Sequence, residues 1–253
     1  AARRWGWTLA VWILGCRAEP PPSPLPLPPR MLWAWERPED FSFLSRRDPG
    51  APEVGVAYLL ATLELRRGEL VVRRRHGALR IPPAVVRLPV VRIEAGAGWV
   101  LDGGLQRGVR DALLAEAQAA GLGRLQLDFE ALVSQRPFYR ALLAALRQQL
   151  PPGFGLSITA LASWCLGDRW LSALPVDEVV PMFYRLGPAG PELRAELARG
   201  RDLARECRAA HGLITDEPMV LPPTPRRLYL FSPAAWQPGA LDAALARPGA
   251  PKE

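Results

Sequence analysis

One short segment carries the residues best suited to chemistry. Residues 125–130 read Leu-Gln-Leu-Asp-Phe-Glu. In a β-strand successive side chains point to opposite faces, so Gln126, Asp128 and Glu130 share one face and the apolar residues share the other. If helices cover the apolar face of a barrel strand here, the polar side chains point inward and rise toward the end where barrel active sites lie.

The two neighbouring carboxyl groups of Asp128 and Glu130 are suited to acid catalysis. Two ionised carboxylates repel each other, so the pKa of one of them should rise. A carboxyl group that stays protonated near neutral pH is what a general acid requires. The alternative is a buried carboxylate cluster that inward arginines, such as Arg92 or Arg185, neutralise.

The rest of the chain predicts the framework that positions this segment. From Met31 onward, short β-branched or aromatic runs alternate with helical patterns, which is typical of βα units and a parallel sheet. The eight predicted strands are Leu32–Trp35, Gly55–Leu63, Leu88–Glu94, Leu125–Glu130, Leu156–Ala162, Glu178–Tyr184, Gly212–Asp216 and Arg227–Phe231. They predict an α/β fold, a small (β/α)8 TIM-type barrel. An open doubly wound sheet is the alternative, but the sequence has no GxGxxG turn to support it.

Amphipathic helices are predicted between several of these strands. Their apolar stripes are Leu105, Val109, Leu113 and Ala117, then Phe138, Leu142, Ala145 and Leu146, and then Leu193, Leu197, Ala204 and Cys207. About 210 residues is small for this barrel, so the helices after the first and second strands should be short or replaced. Residues Glu69 to Pro83 are predicted to form a hairpin between the second and third strands.

The N-terminal residues are typical of an export signal. Arg3 and Arg4 precede an apolar run, Trp5 to Leu14, which is too short to span a hydrocarbon core of about 30 Å but suits a signal peptide. The run ends in Ile13-Leu14-Gly15-Cys16, which resembles the lipobox of bacterial lipoproteins. The resemblance implies that Cys16 is lipidated, whereas the alternative is an ordinary secretory signal with a chance cysteine.

These features divide the chain into four predicted parts. They are a lipoprotein signal peptide at 1–15, a Pro-rich tether at 16–30, the barrel at 31–246 and a flexible tail at 247–253. A lipid anchor at Cys16 would place the protein in the cell envelope, attached to a membrane and exported, with the periplasmic face as the expected side. The tether would hold the barrel off that membrane.

Export permits disulfides, but the predicted topology keeps the two remaining cysteines apart. Cys165 ends the fifth strand, and a helix from Pro191 to about Ala209 would carry Cys207 on the order of 20 Å down the barrel axis. A disulfide needs Cα atoms within about 7 Å, so we expect Cys165 and Cys207 to stay unpaired. The sequence has no CxxC, and its two histidines lie far apart, so no metal site and no cofactor is predicted.

The basic charge of the chain does not predict a nucleic-acid partner. The sequence has 32 Lys and Arg against 25 Asp and Glu, a net charge of +7, and nearly all of its cations are arginines. The densest basic stretch, Arg66 to Arg80, contains no aromatic residue on which a base could stack. A solvated hairpin face is therefore the favoured interpretation.

The fourth predicted strand resembles a known catalytic motif. Residues 123–130 resemble a degenerate form of the DxxDxDxE motif of family 18 chitinases, with Glu130 in the place of the proton donor and Asp128 in that of its assisting aspartate. Gly123 and Gln126 stand where that motif has its first two aspartates. The resemblance implies glycosidic-bond chemistry with Glu130 as the acid.

Two further segments resemble the same family. Met182-Phe183-Tyr184-Arg185 is similar to the family's Met-x-Tyr-Asp on the sixth strand, with Arg185 in the place of the aspartate. The resemblance implies that Tyr184 hydrogen-bonds developing charge and that Met182 and Arg185 line the substrate site. Trp236, just after the eighth strand, stands near the place of the tryptophan that floors the family's sugar site.

A longer resemblance covers most of the chain after the tether. Residues 125–139, 156–165 and 176–182 resemble a family of bacterial exported proteins catalogued as domain of unknown function 3142. This resemblance implies a barrel related to glycoside hydrolases and an exported protein. It implies no particular activity.

Several tryptophans are candidates for a carbohydrate site, because flat indole faces stack on sugar rings. Trp35, Trp164 and Trp236 fall at predicted carboxyl ends of strands, where the mouth of the barrel lies. Each either lines the groove or packs in the core. Gln126 is added to the predicted substrate-binding residues because it shares the inner face of the fourth strand.

Two functions remain open from the sequence. The first is a lipid-anchored glycoside hydrolase-like enzyme acting on an envelope or extracellular glycan, with Glu130, Asp128 and Tyr184 as catalytic residues. For this function, the resemblance to family 18 chitinases implies that the substrate's own N-acetyl group serves as the nucleophile, as in the substrate-assisted glycosidases. The second is a glycan-binding or envelope-organising lipoprotein without turnover, since barrels host many functions.

Overall fold

The computed structural model describes residues 27–47, 50, 53–66, 68–96, 102–166, 170–199, 202–217 and 227–245. The predicted signal peptide, Cys16, most of the tether and the tail lie outside these ranges. Leu27, Pro28 and Pro29, the last residues before the first strand, lie against the barrel. Arg227 donates hydrogen bonds to the carbonyl oxygens of Leu27 (2.9 Å) and Pro28 (3.0 Å).

Eight parallel strands form a closed barrel. They are β1 (Arg30–Ala34), β2 (Val54–Arg66), β3 (Arg87–Ala95), β4 (Arg124–Asp128), β5 (Gly155–Leu161), β6 (Glu178–Met182), β7 (Ala210–Ile214) and β8 (Arg227–Phe231). Each strand pairs in parallel with the next along the chain, and β1 also pairs in parallel with β8, which closes the ring. The predicted (β/α)8 TIM-type barrel is confirmed, and an open sheet is excluded.

The connections between the strands are uneven in length. Four α-helices are described, α1 (Gly103–Ala120), α2 (Arg136–Gln149), α3 (Gly190–Ala198) and α4 (Pro238–Leu245). Short 3-10 turns occupy Ser42–Arg46, Val133–Gln135, Ala162–Cys165, Gly187–Ala189 and Arg205–Cys207. Within the described ranges, no helix combines the length and the apolar character that a membrane crossing requires.

The described residues of the first two connections contain no α-helix, and the sequence predicts short or replaced helices there. After β1 the chain forms the 3-10 turn and a two-residue strand, Glu39–Asp40, which pairs with Leu79–Arg80. After β2 it reverses into an antiparallel strand, Glu69–Arg74, which pairs with the last six residues of β2. The predicted hairpin therefore forms between Glu69–Arg74 and an extended β2, and not within Glu69–Pro83 alone.

Local sequence signals explain where α1 begins and ends. Asp102 caps its first turn, with Oδ1 accepting a hydrogen bond of 2.7 Å from the backbone N–H of Leu105. Gly121 ends it in the left-handed region at φ +63°, which a glycine adopts without steric cost. The predicted apolar stripe of α1, from Leu105 to Ala117, is buried against the barrel wall.

The barrel interior is apolar in one sector and polar in another. Buried side chains including Met31, Trp33, Val90 and Val180 pack together in one internal cluster. Three polar side chains are linked near the amino ends of the strands. Arg227 forms an ion pair with Glu178, and the Glu178 carboxylate also accepts a hydrogen bond of 2.6 Å from the Tyr229 hydroxyl. The buried charge is thus paired, as a low-dielectric interior requires.

The prediction that Cys165 and Cys207 stay unpaired is wrong. They form a disulfide with a Cα–Cα distance of 5.9 Å. The helix that was expected to carry Cys207 away ends at Ala198, and the Ala204 N–H donates a hydrogen bond of 2.8 Å to the Cys165 carbonyl oxygen. The predicted stripe through Ala204 and Cys207 is therefore not helical, although the strand order around it is as predicted.

Beside this disulfide lies a buried histidine, whose titration should make stability depend on pH. His211 is 1% exposed, its Nε2 lies 3.1 Å from the Cys207 carbonyl oxygen, and its Nδ1 has no partner in the described structure. Burial lowers its pKa from 6.5 to about 4. Unfolded chains bind a proton at this histidine below about pH 6.5, but the folded protein resists protonation until about pH 4.

We therefore expect the free energy of unfolding to fall by about 3 kcal/mol through His211 as the pH drops from 6.5 to 4. Urea unfolding of the wild type and His211→Gln at both pH values measures the difference. Glutamine keeps a donor for the Cys207 carbonyl but has no titrating group. Equal pH dependence in the two proteins would contradict the assignment.

Candidate active site

The polar residues of β4 lead into a cleft at the carboxyl ends of the strands. Asp128 is the last residue of β4, and Glu130 follows two residues later. Both line a cleft of about 580 Å³. The same cleft is lined by Met182, the last residue of β6, and by Tyr184 and Arg185, which follow it. The structure therefore brings together five of the residues that the sequence singles out.

Asp128 lies at the bottom of this cleft. It is 6% exposed, and its Oδ1 accepts a hydrogen bond of 2.7 Å from the Thr159 hydroxyl on β5. Burial raises the pKa of Asp128, which the Thr159 hydrogen bond and the positive charge of Arg92 only partly oppose. A raised pKa favours the neutral carboxyl group, which can then both accept and donate hydrogen bonds.

Glu130 stands above Asp128 at the mouth, where its side chain reaches solvent. Desolvation raises its pKa, the neighbouring Asp128 charge raises it further, and Arg92 opposes both effects. A carboxyl group with a raised pKa at an accessible cleft is suited to give a proton to a bound leaving group. Burial contributes more to the raised pKa of Glu130 than the repulsion from Asp128 that the sequence suggested.

Tyr184 faces the two carboxyl groups from β6. Its hydroxyl donates a hydrogen bond of 3.4 Å to the Met182 sulfur, and its ring packs at 4.7 Å from that of Phe231. Burial, followed by the charges of Asp128 and Glu130, raises the pKa of Tyr184 well above its ordinary value. The phenol therefore keeps its proton and can donate a hydrogen bond to an oxygen that gains negative charge.

Gln126 points inward as predicted but lies below the cleft. It is fully buried, and its Nε2 donates a hydrogen bond of 2.8 Å to the Ser157 hydroxyl. Its Oε1 has no hydrogen-bond partner among the described residues. Gln126 cannot contact a substrate directly, because Asp128 and the side chains around it separate it from the cleft floor.

Arg185 lines the cleft with its charge already paired. It forms ion pairs with Asp216 (2.6 Å) and Glu217 (3.1 Å) after β7. Its backbone has φ +50°, and its N–H donates to the Glu217 carboxylate. The arginine that stands in the place of the expected aspartate thus binds two carboxylates from the next strand end, which balance its positive charge.

Only one of the three predicted groove tryptophans reaches the cleft. Trp35 lines it, together with Trp33 from the inner face of β1. Trp164 is 2% exposed and packs against Trp170 at a ring distance of 4.7 Å. Trp236 is 1% exposed, and its indole N–H donates to the Trp33 carbonyl oxygen at 3.0 Å. The predicted sugar-binding roles of Trp164 and Trp236 are therefore corrected to core packing.

Other lining residues were not predicted. Trp33 shares the parity of Trp35, and Phe231 ends β8 with an inward side chain, so strand parity alone would have indicated both. Leu161 at the end of β5, Ala162 and Ser163 in the 3-10 turn that follows it, and Arg37 in the loop after β1 also line the cleft. In the described part of the chain, no cluster of three His, Cys, Asp or Glu residues is arranged to hold a metal ion.

No family model and no curated protein sequence matches the chain. The resemblance to the exported family therefore gains no support from these comparisons. The solved structures that are similar to the chain include two that each have a TM-score of 0.46. The spore cortex-lytic enzyme SleL of Bacillus cereus is 18% identical, over 76% of this chain and 52% of SleL. Chitinase RmChi1 of Rhizomucor miehei is 14% identical, over 74% of this chain and 69% of the chitinase.

The chain spans about half the length of SleL. Its own strand pairing establishes the closed TIM-type barrel. Its own cleft, at the carboxyl ends of the strands, contains a carboxylate pair beside a tyrosine and aromatic walls. Fold and site together define a TIM-type barrel with a candidate acid–base cleft at the carboxyl ends of its strands.

Proposed function

We propose that this barrel hydrolyses a glycosidic bond in an envelope or extracellular glycan. The observation that carries the proposal is the juxtaposition of Asp128 and Glu130, both with raised pKa values, in one cleft that Tyr184 also lines. Trp35, which is half-buried, supplies an apolar wall that suits the face of a sugar ring, whereas Trp33 is 2% exposed and stacks on Phe231 behind it. No bound metal or organic cofactor is needed for this chemistry.

Glu130 acts as the general acid in this proposal. Its carboxyl group gives a proton to the glycosidic oxygen as the bond from that oxygen to the anomeric carbon breaks. In the substrate-assisted form, the carbonyl oxygen of an N-acetyl group attacks the anomeric carbon, Asp128 orients that group, and Tyr184 donates a hydrogen bond to it. Water then opens the cyclic intermediate while the Glu130 carboxylate takes up the water proton.

A hydrolysis screen tests this proposal. The full chain is incubated with N-acetylated, non-acetylated, acidic and neutral glycans, and newly formed reducing ends are measured. Release of reducing ends from at least one glycan is expected. Binding to a glycan without any release would favour the second function.

The second candidate is glycan binding without turnover. Gln126 favours it, because an amide stands beneath Asp128 where the resembling motif has a carboxylate, and an amide cannot exchange a proton with Asp128. Arg185 favours it as well, because it stands where that motif's tyrosine is followed by an aspartate. The cleft and its aromatic walls would serve recognition in either case.

We also propose that the protein is exported and anchored to a membrane through a lipid on Cys16. The Ile13-Leu14-Gly15-Cys16 segment supports the anchor. The Cys165–Cys207 disulfide supports export, since disulfides persist in oxidising compartments. The proposed location is the cell envelope, with the barrel on the periplasmic side.

Mass spectrometry of the mature N-terminus tests the anchor. We expect cleavage before Cys16 and the added mass of acyl chains on that residue, with the protein in the membrane fraction. Cys16→Ser should lose the acyl mass and leave the membrane fraction. Cleavage at another position, or an unmodified Cys16, would contradict the proposal.

A further inference from the structure

Three arginines line the cleft, and they differ in how many ion pairs and hydrogen bonds their guanidinium groups form. Arg185 is held by Asp216 and Glu217. Arg37 forms an ion pair of 2.7 Å with one glutamate and donates to three backbone carbonyl groups in the loop after β8. The third, Arg92, is held by fewer contacts and lies closest in the sheet to the carboxyl pair.

Arg92 projects from the inner face of β3 at the level of Asp128, its partner in the strand register. Its Nε forms an ion pair of 2.9 Å with Glu94. Its guanidinium carbon lies 5.3 Å from the ring centroid of Trp35, over the face of the indole. These two contacts fix the plane of the guanidinium group while its side chain stays 33% exposed.

Among the described residues, the two terminal nitrogens of Arg92 donate no hydrogen bond, and Glu94 is the only carboxylate with which this side chain forms an ion pair. Neither Asp128 nor Glu130 forms an ion pair with Arg92 in the described structure, although its positive charge lowers the pKa of both carboxyl groups against the effect of burial. The side chain contributes to the walls of this cleft and of two other cavities. A guanidinium group whose terminal N–H groups donate no hydrogen bond in the described structure therefore lines the same cleft as the general acid.

We propose that Arg92 binds a carboxylate carried by the sugar, so that the substrate of this barrel is an acidic glycan. This inference rests on the proposed function and names its substrate class. A planar guanidinium matches a carboxylate through two parallel hydrogen bonds, and the contact is charge-assisted. Trp35, behind the fork, holds the guanidinium plane against the cleft wall and presents an apolar surface to the adjoining sugar ring.

Binding of an anion at Arg92 would also prepare the acid. The positive charge of Arg92 lowers the pKa of Glu130, while Asp128 and desolvation raise it. A bound carboxylate offsets that positive charge, which shifts Glu130 further toward its protonated form. Only a substrate with the acidic group would produce this shift, so recognition and proton donation would be coupled.

Binding measurements on the full chain with Glu130→Gln test the inference without requiring turnover. The ligands are matched pairs of uronic-acid oligosaccharides and their carboxyl-reduced neutral counterparts, measured by titration calorimetry. We expect the acidic member of at least one pair to bind about tenfold to a hundredfold more tightly. Adding Arg92→Gln should abolish that preference, and Arg92→Lys should restore it only in part, because lysine keeps the charge without the fork.

The matched control is Arg80→Gln, which removes an arginine whose side chain is 76% exposed outside the three cavities and should leave the preference unchanged. Thermal unfolding of each variant checks that it is folded. Failure of every acidic ligand to bind more tightly than its neutral partner would overturn the inference, as would a preference that survives Arg92→Gln. Absence of hydrolysis in the wild type, with the acidic preference intact, would instead overturn the proposed enzymatic function alone.

Discussion

Glu130→Gln is expected to lower the turnover number on a glycan substrate by a factor of about 10² to 10⁴, which is the usual contribution of a general acid. Glutamine has nearly the same shape, but its amide has no proton to give to the glycosidic oxygen. Because Glu130 reaches solvent at the mouth and its backbone follows a fixed strand, the fold should be unaffected. Substrate affinity should change little.

Steady-state kinetics on the substrate found in the screen measure this effect. Glu69→Gln is the matched control, because Glu69 is an exposed glutamate on the added antiparallel strand, outside the cleft. It should retain wild-type turnover. If Glu130→Gln kept more than a tenth of the wild-type rate, another group would be the acid and the proposed mechanism would be wrong.

The placement of Asp128 and Glu130 in one cleft follows from local sequence alone. A strand's side chains repeat every two residues, so the parity of β4 fixes which side chains face inward wherever the strand lies in a barrel. The eight-strand alternation is also a local property, and it leads to the closed barrel. The strand end that carries the site could therefore be predicted from the sequence without knowledge of any tertiary contact.

Strand parity tells which face of a strand a side chain lies on, but not how deep in the barrel it lies or how the following loop folds. The site prediction was incomplete on both points. Gln126 faces inward but one level below the floor of the cleft. Trp164 and Trp236 follow strand ends, but the 3-10 turn after β5 and the loop after β8 turn their indoles into the core. Such turns depend on long-range hydrogen bonds, such as that from the Trp236 indole to the Trp33 carbonyl, which no sequence period records.

The helix after β6 shows the same limit for a longer element. The apolar spacing of Leu193, Leu197, Ala204 and Cys207 suits one continuous helix, yet α3 ends at Ala198. Helical propensity is a weak preference that tertiary contacts override. Here the overriding contacts lie between Ala204 and Cys165 and in the disulfide itself. The expected distance of about 20 Å between the two cysteines applies only to a continuous helix as far as Ala209, which does not form.

The disulfide should therefore be a large contributor to stability. It closes a loop with a sequence separation of 42 residues. In the chain-entropy description, restricting an unfolded loop of that size raises the free energy of unfolding by about 4 kcal/mol. The double variant Cys165→Ser/Cys207→Ser should lose about that amount, measured by urea unfolding of the mature domain.

Reductant provides the matched control for this experiment. Unfolding of the wild type should become easier when dithiothreitol is added, whereas the double variant should show the same midpoint with and without it. Cys165 lies two residues beyond Ser163, which lines the cleft, and its disulfide ties the turn after β5 to the segment before β7. Reduction should therefore weaken glycan binding as well as stability, at urea concentrations where the barrel is still folded. If dithiothreitol changed neither the urea midpoint nor the glycan affinity of the wild type, the two cysteines would not be bonded in the native protein.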